Sequence, residues 1–253
     1  MIFSVSLDAV FSKTNLSFEE RVERSRELGY TSIEFWGWGD KDLDRLAEVT
    51  KRIGLQVGSF CTKYGELVDP AKRGLFLEGL QETIAAAKKV DCASLIVTVG
   101  NALEGVSREA QHDSIVEGLR AAVPLLEEAG ITLVVEPLNM LVDHAGYYLV
   151  RSDEAFEIID EVGSPYVKVL YDVYHQQISE GNLISTIQAN IDRIGYFHIA
   201  DHPGRHEIGT GEINYRNVLD AIRETGYAGP IGLEYFPLQG VDEGLKAFLK
   251  EYA

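Results

Sequence analysis

The chain is short of several residue types, and each shortage removes a class of explanation. Only two cysteines, Cys61 and Cys92, occur in 253 residues. Both sit in apolar stretches, which suits buried thiols in a reducing compartment and argues against a disulfide framework or a cysteine-rich metal knuckle. No apolar run approaches the roughly 20 residues of a membrane span. The opening Met1-Ile-Phe-Ser-Val-Ser has no basic region ahead of a long apolar stretch, so a cytoplasmic protein without membrane contact is expected. Positive charge is scarce: 23 basic against 40 acidic residues give a net charge of -17. A surface that negative repels phosphate backbones and anionic lipid, so nucleic acid is a poor partner. No Pro/Gly/Ser-rich linker, low-complexity tract or shift in composition divides the chain.

What is present is a rhythm. Short β-rich apolar runs alternate with amphipathic helical stretches from end to end. The expected strands are Ile2–Leu7, Ser32–Trp36, Gln56–Phe60, Ser94–Val99, Thr132–Glu136, Val167–Asp172, Gly195–Ala200 and Ile231–Tyr235. Helices are expected near 18–28, 41–53, 72–90, 108–129, 152–162, 183–192, 215–225 and 241–251. Ser17 and Ser152 stand where N-caps belong, and Gly29, Gly54, Gly130, Gly163 and Gly226 stand where helices stop. Eight βα units in this length match the arithmetic of an α/β protein built as a single (β/α)8 TIM barrel, one domain over residues 1–253. Periodicity does not show closure, so an open, doubly wound sheet is the alternative.

The barrel reading matters because such folds place their chemistry at the C-terminal ends of the strands. Four consecutive strand-like runs carry an acid or an imidazole there: Glu136, Asp172, His198 and Glu234. Each has a bland explanation alone, as a helix cap, a salt-bridge partner or a core histidine. Together, on four neighbouring strands, they form a ligand set for a divalent ion. Three carboxylates and one imidazole favour Mn²⁺ first, then Mg²⁺ or Co²⁺. Such an ion acts as a Lewis acid on a carbonyl and its adjacent hydroxyl, while a carboxylate beside it takes the proton from the carbon α to the carbonyl.

Three stretches carry a resemblance: Asp172-Val-Tyr-His175-Gln-Gln, then His198-Ile-Ala-Asp-His-Pro-Gly-Arg205-His-Glu-Ile-Gly-Thr-Gly-Glu212-Ile-Asn-Tyr215, then Gly232-Leu-Glu234-Tyr. With Glu136-Pro-Leu-Asn139 they resemble the hydroxypyruvate isomerase family, within the xylose-isomerase-like barrels that also include ketose 3-epimerases. The likeness is strong over about residues 131–237. It implies a (β/α)8 fold, a divalent metal held by Glu136, Asp172, His198 and Glu234, and Glu136 and Glu234 as an acid/base pair on the two faces of the substrate. It implies that His175 and Arg205 hold substrate oxygens. Homo-oligomers occur among such relatives, which makes one an implied arrangement here. Two features depart from the family pattern. His198 stands where hydroxypyruvate isomerases carry glutamine and ketose 3-epimerases carry histidine. The acid that epimerases carry shortly after the first glutamate is replaced in this chain by the neighbourhood of Val142.

The function expected from these residues is isomerisation or epimerisation of a small α-hydroxy carbonyl compound, hydroxypyruvate or a ketose, by proton transfer through a metal-bound cis-enediolate. A lyase or dehydratase begins the same way and ends in elimination, and an unsaturated product separates it. Phosphodiester cleavage ranks lower, since the six histidines do not cluster and the charge disfavours DNA. A non-catalytic sugar-binding barrel ranks lower too, because every ligand and both candidate bases are present.

Overall fold

The computed structural model describes residues 1–238 and 240–252. Eight strands form in chain order: β1 (Ile2–Ser6), β2 (Ser32–Phe35), β3 (Gln56–Cys61), β4 (Ser94–Val97), β5 (Thr132–Val135), β6 (Val167–Asp172), β7 (Ile194–Ile199) and β8 (Pro230–Leu233). Every neighbouring pair is parallel, and β1 pairs with β8 from Ile2↔Pro230 to Val5↔Leu233. That last ladder closes the sheet into a barrel, which the alternation of elements alone could not establish. An all-parallel sheet needs both faces covered, and the near-continuous burial of β4 to β8 reflects it.

The outward strand residues Val5, Ile33, Leu95, Leu133, Val169, Phe197 and Ile231 pack against helix residues such as Val22, Leu46, Leu80, Leu119, Ile159 and Ile222. This annulus is the main core. Inside the barrel lies a second, smaller cluster of Ile96, Val134, Leu170 and Tyr196, with Cys61 against it. The rest of the buried interior is polar: Ser4, Ser6, Ser32, Glu34 and Ser59. The polar interior is what makes the strand order matter to the site.

The outer helices are α1 (Leu7–Val10), α2 (Phe18–Glu27), α3 (Leu43–Ile53), α4 (Arg73–Lys89), α5 (Arg108–Ala129), α6 (Ser152–Val162), α7 (Val173–Ser179), α8 (Leu183–Asn190), α9 (Tyr215–Glu224) and α10 (Val241–Tyr252). Ser17 caps α2 in a full capping box with Glu20. Gly54, Gly130 and Gly163 end their helices in the left-handed region. Ser152 behaves differently from expectation. The N-cap of α6 is Arg151, and Ser152 instead gives its N–H and hydroxyl to the half-buried carboxylate of Glu180, just past α7. Two short helices, α1 and α7, were not expected. Each follows its strand directly, with too few residues for a helical period to be legible. Among the described residues, no helix is long and apolar enough to cross a membrane.

Candidate active site

Asp172 is the last residue of β6, His198 the fifth of β7, and Glu136 and Glu234 stand one residue beyond β5 and β8. The sheet ladder still holds the two glutamates: Glu136 N–H bonds Val97 O and Glu234 N–H bonds Ile199 O, both at 3.1 Å. Parallel strands in register therefore deliver four side chains to one end of the barrel. All four are buried, and one ligand atom from each lies within 4.8 Å of every other. His198 Nδ1 is 3.5 Å from Glu136 Oε1 and 3.3 Å from Glu234 Oε2.

Three carboxylates this close, out of water, repel one another unless cations and donors compensate. Arg205 supplies part of the compensation, pairing with Glu234 and standing 3.8 Å from Asp172 Oδ2. The Trp36 indole N–H donates to Glu234 Oε1 at 2.6 Å. Burial acts to raise the Glu234 pKa, but Arg205 and His198 outweigh it and hold the carboxyl well below the usual range. Burial raises Asp172 against the pull of Arg205 and His198. For His198, burial opposes the charged ring, yet Glu34 and Glu234 hold its pKa well above that of a free imidazole.

Compensation is incomplete, and the gap has the chemistry of a cation site. Glu136 Oε1 and both ring nitrogens of His198 are buried without a hydrogen-bond partner, a costly arrangement in a folded interior. Ligand atoms around one ion at about 2.0–2.5 Å stand roughly 3–5 Å apart, which the observed cluster meets. Oxygen-rich donors with one imidazole suit a hard or borderline divalent ion.

Asp172 does two things at once. Its Oδ1 accepts the N–H groups of Tyr174 at 2.8 Å and His175 at 3.2 Å, capping α7, while Oδ2 faces the centre. The cap turns His175 inward. Nδ1 of His175 accepts the Asn139 backbone N–H at 3.2 Å and lies 2.7 Å from the Asn139 amide nitrogen. Those donors leave the ring proton on Nε2, 3.6 Å from Asp172 Oδ2 and without a hydrogen-bond partner. Burial pushes the His175 pKa down to about 3, so the ring is neutral and offers one N–H to the site.

Arg205 is brought in by the loop after β7. Asp201, fully buried, accepts the backbone N–H groups of His202, Gly209 and Ile213. A Cβ at Gly211 would lie 2.1 Å from the His202 carbonyl oxygen, so that position must stay bare. The loop thus folds back and carries Arg205 to Glu234.

All six residues singled out from the sequence therefore converge. Others were missed. Asp143 accepts from the Asn139 amide at 2.7 Å and the Tyr174 hydroxyl at 2.9 Å, so an acid does stand beside the site, one residue past Val142. Glu34 lies inside β2, 3.1 Å from His198 Nε2. It was overlooked because it interrupts its apolar run instead of closing it, although one acid between Ile33 and Phe35 is itself a signal.

The sequence profile of the xylose isomerase-like TIM barrel family matches residues 22–252. The chain is 32% identical over 252 residues to hydroxypyruvate isomerase of Escherichia coli (strain K12), covering 96% of each protein. Among solved structures it resembles a protein from Brucella melitensis titled AP endonuclease, family 2. That likeness has a TM-score of 0.93 and 30% identity, and spans 100% of this chain and 99% of the other. It also resembles an L-ribulose 3-epimerase, with a TM-score of 0.77 and 25% identity over 98% of this chain and 86% of the other. The chain belongs to the xylose isomerase-like TIM barrel family, and within it to the group around hydroxypyruvate isomerase.

Proposed function

We propose that this protein, an isomerase or epimerase by its family, moves a proton at the carbon α to the carbonyl of a small hydroxy-keto acid or ketose. The observation that carries the reading is the pair Glu136 and Glu234, approaching His198 Nδ1 at 3.5 and 3.3 Å from two strands, β5 and β8, on either side of β6 and β7. Glu136, Asp172, His198 and Glu234 would hold a divalent ion, Mn²⁺ in first place with Mg²⁺ or Co²⁺ as alternatives. When bound, the ion supplies Lewis acidity towards the carbonyl oxygen and its neighbouring hydroxyl.

The remaining work falls to the side chains. One glutamate takes the α-proton and the same or the opposite one returns it, to the adjacent carbon for isomerisation or to the other face for epimerisation. His175 Nε2–H donates to a substrate oxygen from a fixed position, with no proton to lose on the way. Arg205 can exchange part of its contact with the carboxylates for a substrate hydroxyl or carboxylate. The relatives' names extend this reading to hydroxypyruvate and ketoses. A net charge of -17 favours a small-molecule substrate over a phosphodiester backbone. Product analysis by NMR on metal-loaded protein tests the class of reaction. An isomeric or epimeric compound supports the reading, whereas an unsaturated product from the same substrates means elimination.

Trp36 gives a second check. It is 40% exposed at the mouth, lies 6.5 Å from the Phe236 ring, and holds Glu234 through its N–H. Trp36→Phe keeps an aromatic ring, though a smaller one, and removes that donor. A hydrogen bond to a charged group contributes about 1.5–3 kcal/mol, so kcat should fall roughly 10- to 100-fold with little change in KM. An unchanged kcat would mean that the indole N–H does not orient the carboxylate.

A further inference from the structure

We propose that Glu34 is a positioning residue that turns His198 so that Nδ1, and not Nε2, faces the four-residue centre. The inference rests on the metal-holding role proposed above and concerns residues outside that set.

The two nitrogens of His198 look in opposite directions. Nδ1 faces Glu136 and Glu234 at the mouth, and Nε2 lies 3.1 Å from Glu34 Oε1 in the barrel interior. Neither Nε2 nor Glu34 Oε1 makes a hydrogen bond among the described residues, so their 3.1 Å approach is an ion-pair contact. The other oxygen of Glu34 accepts the Tyr196 hydroxyl at 2.6 Å. Tyr196 and His198 are two apart on β7 and so share the inward face. The Tyr196 ring stands edge-on to the imidazole, with centroids 5.6 Å apart and planes at 89°. Glu34 is thus fixed by the strand that carries its target.

The barrel is built to let this carboxylate cross. β7 and β2 are not neighbours; β8 and β1 lie between them. On β8, the residue in register with His198 is Gly232. A Cβ at Gly232 would lie 2.4 Å from Glu34 Oε2, 2.5 Å from Oε1 and 2.6 Å from His198 Cδ2. On β1, Ser6 is in register with Glu34 and Ser4 with Gly232, and neither fills the gap. Bare and small residues on two consecutive strands open the path from Glu34 to His198. A carboxylate left there without the imidazole would be a buried charge with only a tyrosine hydroxyl to satisfy it. An imidazole whose Nε2 is held against a carboxylate presents Nδ1 to the other side, and histidine ligands are commonly oriented by such partners.

The test is Mn²⁺ affinity of the metal-stripped full chain, by calorimetry and by the EPR signal of free Mn²⁺. It compares wild type, Glu34→Gln, Tyr196→Phe, His198→Gln, and the two double variants in which Glu34→Gln or Tyr196→Phe is combined with His198→Gln. Glu34→Gln should weaken Mn²⁺ binding 10- to 100-fold, and Tyr196→Phe less than tenfold. In the His198→Gln background, which has no ring to orient, each substitution should change affinity less than twofold. A merely structural role for Glu34 would lower affinity equally in both backgrounds, and that result overturns the proposal. So does wild-type affinity in Glu34→Gln. Should Glu34→Gln fail to fold, Tyr196→Phe with and without His198→Gln decides by the same criterion. Wild-type protein that binds neither Mn²⁺, Mg²⁺ nor Co²⁺ would overturn the metal-holding reading itself, whereas metal-binding protein indifferent to Glu34→Gln overturns only this inference.

Discussion

Glu136→Gln and Glu234→Gln are each expected to lower kcat by about a thousandfold or more while leaving a folded barrel. Glutamine keeps the shape and an oxygen that can still touch a cation, but it cannot accept the substrate proton. General acid–base groups contribute about 10²–10⁴-fold each, and here no other carboxylate takes over. Asp172 has one oxygen committed to capping α7, and Asp143 is engaged by Asn139 and Tyr174. The two variants should differ in stability. Glu136 Oε1 has no hydrogen-bond partner to lose. Glu234 is the partner of Arg205 and Trp36, so its neutralisation strands a buried guanidinium. Glu234→Gln should therefore melt at a lower temperature than Glu136→Gln, in steady-state kinetics and thermal melts on the same preparations. Turnover within tenfold of wild type in either variant would remove that glutamate from the proton-transfer role.

The second large effect concerns acid. His175 is neutral when folded, with its pKa pushed down from 6.5 to about 3 by burial. Between those values the unfolded chain binds a proton that the folded chain does not, so stability falls as pH falls through this window and is unaffected above it. At about 1.4 kcal/mol per pH unit, the contribution between pH 7 and pH 5 is about 2 kcal/mol. His198 is shifted the other way, well above the usual imidazole range, and its contribution is fully present below about 6.5. The two run in opposite directions over adjoining pH ranges that meet near 6.5, so the total pH profile of the metal-free protein does not isolate His175. The difference between wild type and His175→Asn does. In urea titrations of metal-free protein, wild type should lose about 2 kcal/mol relative to the variant between pH 7 and pH 5. A pH-independent difference would mean that His175 is protonated in the folded chain, contrary to the donors that face its Nδ1.

Much of this architecture was readable in the sequence because it is local. The eight strands fell where β-rich runs lie: β4 and β5 are apolar nearly throughout because both faces are covered, while β1 and β2 alternate apolar outward residues with small or polar inward ones. The four mouth residues were visible because a charge at the end of such a run needs a reason. What was not readable depends on register and on distant partners. Glu34 is interpretable only once Gly232 and the β1 serines are known to lie between it and His198. Arg205 had acidic neighbours in sequence, and only the loop anchored on Asp201 carries it to Glu234. Ser152 looked like a cap because its carboxylate partner, Glu180, is remote in sequence. Asp143 was passed over at one residue's remove, because helical or strand spacing does not apply in the loop after Asn139.

The central claim is that Glu136 and Glu234 move a proton α to a carbonyl at a metal-dependent site. The most direct measurement is NMR in D2O on protein loaded with Mg²⁺, and separately with Co²⁺, against hydroxypyruvate and ketoses of four to six carbons. Deuterium should enter at a carbon α to the carbonyl of at least one compound, stop on metal removal, and fall sharply in Glu136→Gln and Glu234→Gln. Metal-loaded, folded protein that exchanges no α-proton in any of them, or exchanges it equally well in both variants, would contradict the claim.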